Sequence, residues 1–380
     1  MVWMMEKKRA ASAWKEHKSE DAIMLTSRER VIRTLAHEPI DRAPRDLWTL
    51  PGIEKTRGDE VAEMRSRFPP DFEKPDYKLP RGERAKGRPC EVGQYIDAWG
   101  STWHVGQAGI AGEVKQPPLA DPAAIAGYRP PLELLDRTKF SRVDRACAAT
   151  SRFVLAWTET RPFERLQFLR GPEAAYMDLA DGGRPFRSLL AMIHDFCCQE
   201  LQLWAETDVD GVAFMDDWGS QTSLLIAPEL WREVFRPLYR EYCQILHAKD
   251  KWVFFHSDGN ISDIFGDLVE IGVDAVNSQM FCMDIDRLAR HFRGRITFWG
   301  EIDRQRLLPF GTTREVRAAV DRVRTALDFG RGGLIAQCEW GLDMPFDNIA
   351  ALFDQWQHSL PMNSRQPAVG NEKSAVGIRQ

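Results

Sequence analysis

The sequence carries little charge imbalance and no long apolar run. Of 380 residues, 51 are Lys or Arg and 56 are Asp or Glu, for a net charge of -5, and no basic run exceeds the KKR at residues 7–9. Without a basic stripe there is nothing to neutralise a phosphate backbone, which excludes nucleic acid as a partner class. No apolar stretch reaches the ~18 residues of a membrane span. The start, MVWMMEKKR, places its apolar residues before its charges, the reverse of a secretory signal. The expectation is a cytoplasmic protein that takes a small-molecule substrate and no membrane partner. Seven cysteines form an odd set with no CxxC pair, which excludes a disulfide framework and a zinc ribbon. No GxGxxG follows the first strand-like run, which counts against an open dinucleotide-binding sheet.

What is present points to repeated βα units. At 43% hydrophobic, the chain has material for a large core. Residues 1–25 and 363–380 lack periodicity and are expected to be loose tails around one unit at 26–362. Thr26, Ser27, Arg28 and Glu29 spell a capping box ahead of Val31, Ile32 and Leu35, so a helix starts there and Pro39 stops it. Residues 50–133 are rich in Pro and Gly and read as an irregular insertion over the catalytic face. Beyond residue 150 come short apolar runs: RFVLAW at 152–157, GVAFM at 211–215, WVFF at 252–255, DAVNS at 274–278, ITFWG at 296–300 and GLIAQC at 333–338. Amphipathic helices separate them, including one continuous segment through APELWREVFRPLYREYCQILHAK. This rhythm predicts an α/β fold, a (β/α)8 TIM barrel.

Each run ends in polar residues, and in such a barrel all strand carboxyl ends open on one mouth. GVAFM ends in Asp216, Asp217 and Trp218; WVFF in His256, Ser257 and Asp258; DAVNS carries Asn277; ITFWG leads to Glu301 and Asp303; GLIAQ leads to Cys338 and Glu339. His256 and Asp258 stand two apart, so in an extended segment both side chains share a face. With Cys338 from a later strand they compose a three-ligand zinc site with an open fourth position. Each has a plain alternative. Cys338 also suits a small buried hydrophobe, and Asp216 and Asp217 suit caps of the following helix. Cys197 and Cys198 fall inside a helix and read as inert.

The order of SRERVIRTLAHEPIDRAP, WRE, HSDG, WGEID and CEWGLDMPFDNI, over roughly residues 26–360, resembles the uroporphyrinogen decarboxylase superfamily. That resemblance implies a (β/α)8 barrel and two candidate activities: a cofactor-free decarboxylase, or zinc-dependent methyltransferases that exchange methyl groups with corrinoid proteins, thiols or methoxylated substrates. The decarboxylase carries an arginine pair where this chain reads RDLWTLPGIE, and a histidine near its last strand where Cys338 stands. Asp97 matches its pyrrole-binding aspartate. The methyltransferase branch has HxC and a late cysteine; here His256 and Cys338 match, and Asp258 replaces the first cysteine. A carboxylate in place of a thiolate leaves zinc a stronger Lewis acid, suited to oxygen-bearing substrates.

The resemblance therefore implies a zinc-dependent methyltransferase moving a methyl group between a methoxylated or methylated small molecule and a corrinoid or thiol acceptor. It implies His256, Asp258 and Cys338 as metal ligands and Glu301 and Asp217 as catalytic carboxylates. Asp97, Trp99, Asp216, Asn277 and Trp218 are expected to bind substrate, and a corrinoid protein is the implied partner. Two other readings stand beside it, a decarboxylase of a tetrapyrrole and a barrel that binds such a molecule without turning it over. Asp97 serves equally well to fix an insertion loop.

Overall fold

The computed structural model describes residues 24–357. The tails expected at 1–25 and 363–380 fall outside these residues, apart from Met24 and Leu25 at the border. In chain order the strands are β1 (Arg45–Thr49), β2 (Phe72–Glu73), β3 (Gly93–Ile96), β4 (Thr102–Val105), β5 (Glu113–Gln116), β6 (Phe153–Trp157), β7 (Gly211–Met215), β8 (Trp252–Ser257), β9 (Ala275–Ser278), β10 (Thr297–Trp299) and β11 (Leu334–Trp340). Eight of them form a parallel sheet in the order β1-β11-β10-β9-β8-β7-β6-β2. Helices surround them, so the fold is the expected (β/α)8 barrel, nearly closed. At the seam the edge strands β1 and β2 are tied by Asp71, whose backbone N donates to the Arg45 carbonyl (2.9 Å) and whose carboxylate accepts from the Arg45 backbone N (2.7 Å). Arg30 and Arg42 also grip Asp71 at 2.6 Å each.

The core has two layers. Phe72, Phe153, Leu155, Ala213, Trp252, Phe254, Ala275, Trp299 and Ile335 fill the barrel interior. A larger layer lies between strands and helices and includes Val212, Phe214, Val253, Phe255, Val276, Ala336, Cys338 and Trp340. Successive strand residues alternate between the two layers, as the pleat requires. This alternation decides which polar strand-end residues reach the mouth.

The capping box at Thr26 is present: its hydroxyl accepts from Glu29 N (3.2 Å), and Thr26 N donates to the Glu29 carboxylate (2.9 Å). The helix it starts ends at Leu35. The segment read as one helix through 227–249 is two, Pro228–Val234 and Arg236–His247, because Pro237 has no backbone N–H to continue the first. The 50–133 insertion also divides. Its first part makes helices Pro51–Thr56 and Gly58–Arg67, which complete the first βα unit of the barrel, and then β2, which opens the second. Its later part carries the antiparallel sheet β3-β4-β5 and packs beside the barrel: Ser101 Oγ donates to the Phe168 carbonyl (3.0 Å) and Leu119 N to the Leu169 carbonyl (2.9 Å). Among the described residues, no helix is long and apolar enough to cross a membrane.

Candidate active site

The carboxyl ends of the strands converge on His256, the fifth residue of β8. Its orientation follows from one amide. Asn277, at the same level on β9, donates from Nδ2 to the Trp299 carbonyl at 2.5 Å, which turns its Oδ1 toward His256 Nδ1 at 2.7 Å. Nδ1 therefore carries a proton and donates it to Asn277, which leaves Nε2 as the ring atom that faces the mouth. Nε2 faces Asp258 Oδ1 at 3.6 Å and Asp217 Oδ1 at 3.7 Å. Asp217 also accepts from Asp258 N at 2.9 Å, which locks the two loops together.

Asp217, His256 and Asp258 thus offer one nitrogen and two carboxylate oxygens, all within 4.8 Å of one another. The edges of a tetrahedral zinc site with ~2.0–2.1 Å ligand distances are ~3.4 Å, so the observed spacing fits a divalent ion after small side-chain movements. Asp258 Oδ1 is buried without a hydrogen-bond partner, as expected of an atom that awaits a cation. Its other oxygen is held by Arg304.

Arg304 gathers the remaining acidic groups. It pairs with Asp258 and Glu339 and lies 3.4 Å from Glu301. Burial pushes the Glu301 carboxyl up to about 8, with Arg304 opposing and the charges of Asp258, Glu339 and Asp303 reinforcing the rise. Glu301 therefore holds a proton at neutral pH, the state required of a general acid.

Beside His256 a cavity of about 640 Å³ runs down the seam between β1 and β2. Trp48 and Trp157 wall it, their rings 5.6 and 6.4 Å from the His256 imidazole and 5.2 Å from each other. Trp48 is fixed by Asp46, which lies on the floor and accepts both Trp48 Nε1 and Trp299 Nε1 at 2.8 Å. Burial raises the Asp46 carboxyl to about 6, with the two indole hydrogen bonds opposing. Glu54, Arg65 and Lys74 stand at the rim.

Several expected site residues lie elsewhere. Cys338 is fully buried in the layer between strands and helices; its neighbours Ile335 and Glu339 face inward, so parity turns Cys338 away from His256. Burial holds its thiol well above the ordinary range. The third position beside His256 and Asp258 is instead occupied by Asp217. Asp216, one residue earlier on the outward parity, accepts from Phe163 N and Glu164 N at 2.7 Å each and from Tyr239 Oη at 2.6 Å. It anchors the first turn of helix Pro162–Arg170 and does not face the cavity. Trp218 is fully buried, stacked on Phe163 with ring centroids 4.1 Å apart. Trp99 packs against Phe196 at 4.7 Å under the Arg165 guanidinium. Asp97 accepts from Ser101 N (2.8 Å) and Trp103 Nε1 (2.9 Å) and so fixes the insertion loop. Asn277 does reach the mouth, where its contact is His256. Asp46, Trp48, Trp157 and Arg304 were not anticipated, whereas Glu339, read beside Cys338 at the end of GLIAQ, does line the cavity.

Fold and mouth define a barrel protein whose chemistry sits at the strand carboxyl ends. Residues 97–358 match the sequence profile described as Uroporphyrinogen decarboxylase (URO-D), well over half of the chain, and the chain belongs to that family. Among solved structures, one described as a methyltransferase from Methanosarcina mazei superposes with a TM-score of 0.65 at 15% identity, covering 88% of this chain and 98% of that one. A xylanase from Gloeophyllum trabeum superposes at 0.44 with 9% identity, covering 86% and 99%. No curated protein matches the chain by sequence.

Proposed function

We propose that this chain is a methyltransferase that moves a methyl group between a methoxylated or methylated small molecule and a corrinoid or thiol acceptor, with zinc held by Asp217, His256 and Asp258. The observation that carries the reading is the convergence of His256 Nε2 and two carboxylate oxygens beside an aromatic-walled cavity. The fold shared with a structure described as a methyltransferase is in keeping with it. A bound zinc would supply Lewis-acid polarisation of the oxygen that carries the methyl group.

The chain's own residues account for the rest. Asn277 fixes the imidazole so that Nε2, not Nδ1, faces the cavity. Trp48 and Trp157 hold the flat or apolar body of the donor and exclude water from it. As the methyl carbon leaves for the acceptor, the bonding pair stays on the donor oxygen, which takes up a proton from the acidic cluster around Arg304, where Glu339 lines the cavity and the protonated Glu301 lines a separate small pocket. Arg304 then stabilises the carboxylate that remains. Asp258, 3.6 Å from His256 Nε2 and paired with Arg304, links the two halves of the mouth.

Incubation of the zinc-loaded protein with methoxylated aromatic compounds and reduced cobalamin tests the reading. Methylcobalamin, read from its visible spectrum, should appear in step with the demethylated product, and His256→Ala should abolish both. Absence of methyl transfer from every donor, with carbon dioxide released from a carboxylated tetrapyrrole instead, would overturn it in favour of the decarboxylase.

A further inference from the structure

We propose a second metal site outside the barrel, formed by His194, Cys198 and Glu241 and suited to zinc or another thiophilic divalent cation. It joins two neighbouring helices, Arg184–Ala205 and Arg236–His247, on a side of the molecule that the mouth does not reach. His194 and Cys198 are four apart on the first helix and therefore share a face. Glu241 approaches from the second.

The three side chains lie close together. Glu241 Oε2 lies 3.1 Å from His194 Nε2, and Cys198 Sγ lies 3.7 Å from both ring nitrogens, over the face of the imidazole, so a shared ion requires the Cys198 side chain to turn toward Nε2. All three donor atoms fall within 4.8 Å of one another. A tetrahedral zinc with Zn–N and Zn–O near 2.0–2.1 Å and Zn–S near 2.3 Å sets these edges at ~3.4 Å for N···O and ~3.6 Å for N···S.

A second feature is the partner on the other ring nitrogen. Tyr242 Oη lies 3.1 Å from His194 Nδ1, the kind of outer hydrogen bond that fixes the tautomer and orientation of a metal-bound histidine. Tyr242 is fully buried, so this support is rigid. Cys198 is buried and Glu241 is about half exposed, which leaves a water-accessible fourth position on one side and a protected sulfur on the other. The ligand set of one nitrogen, one sulfur and one oxygen is softer than the set at the mouth, which offers no thiol. Binding converts the Cys198 thiol to a thiolate bonded to the ion, and its proton leaves to solvent. The consequence is a clip across the seam between the two helices.

Cobalt(II) titration of the full-length protein distinguishes the sites, because sulfur-to-cobalt charge transfer in the near ultraviolet requires a thiolate ligand. Wild type and His256→Ala should both develop the band, and Cys198→Ser should lose it. Glu241→Gln, at an exposed position that leaves the buried contacts intact, should weaken the cobalt affinity read from the same band by roughly tenfold or more, with unchanged circular dichroism. If Cys198→Ser does not fold, this variant carries the test. A saturating titration with no charge-transfer band in wild type would overturn the proposal. So would a band that survives Cys198→Ser, or a Glu241→Gln protein that binds cobalt as tightly as wild type.

Discussion

Replacing Asp216 with Ala separates a structural carboxylate from a substrate-binding one. Asp216 is fully buried and accepts three hydrogen bonds, from Phe163 N, Glu164 N and Tyr239 Oη. Truncation strands two backbone N–H groups in the first turn of helix Pro162–Arg170 and one tyrosine hydroxyl, all inside the molecule. Each stranded donor costs ~1–3 kcal/mol, and since the three share one acceptor the sum is best placed at ~3–6 kcal/mol. A domain has only ~5–15 kcal/mol to lose, so the variant should unfold at a much lower urea concentration with an unchanged slope. Thermal unfolding should shift down by roughly 10 °C. In whatever fraction stays folded, KM for the methyl donor should be that of wild type, since the side chain points away from the cavity. A variant with wild-type stability and a raised KM would refute this reasoning and return Asp216 to the substrate.

Two further outcomes follow from the same geometry. Burial raises the Glu200 carboxyl, which accepts from Glu159 N (2.9 Å) and Thr160 Oγ1 (3.0 Å), to about 7 from an ordinary 4.5. The folded state therefore binds the proton more tightly than the unfolded state, so this contribution to stability is complete below about pH 4.5, declines as pH rises toward 7 and is flat above, a fall of ~3 kcal/mol. Glu200→Gln should remove that dependence and make the protein more stable than wild type at pH 8, as urea unfolding across pH would show; parallel curves for the two proteins would contradict it. Asn277→Ala removes the acceptor that holds His256 Nδ1, and zinc affinity at the mouth, measured by chelator competition in the Cys198→Ser protein, should fall ~10- to 100-fold; unchanged affinity would show that Asn277 does not set the ring.

The six apolar runs read between residues 152 and 338 coincide with β6 through β11, because strands buried on both faces appear as continuous Val, Phe, Ile and Leu. The same property hid the site. When both faces are apolar, the sequence carries no period to say which residues point inward, and a one-residue ambiguity at each strand end separates Asp216 from Asp217 and Cys338 from Glu339. His256 and Asp258 were legible because they stand two apart on one strand end, which makes their shared face independent of parity. β1 and β2 escaped notice for another reason. RDLWT carries the charged Asp46 into the barrel interior, and β2 is two residues long, so neither has an apolar run to read. Trp48 and Trp157 reach His256 from strands far apart in sequence, and such convergence is a property of the closed sheet alone.

X-ray absorption at the zinc edge reads the ligand set of the mouth directly. The protein is best taken as Cys198→Ser, so that the thiol between the two outer helices contributes no sulfur. Zinc bound through Asp217, His256 and Asp258 should give a first shell of nitrogen and oxygen alone, and Asp217→Ala in the same background should lose the metal. A sulfur scatterer in that shell, lost on Cys338→Ser, or zinc retained by Asp217→Ala, would contradict the site as described.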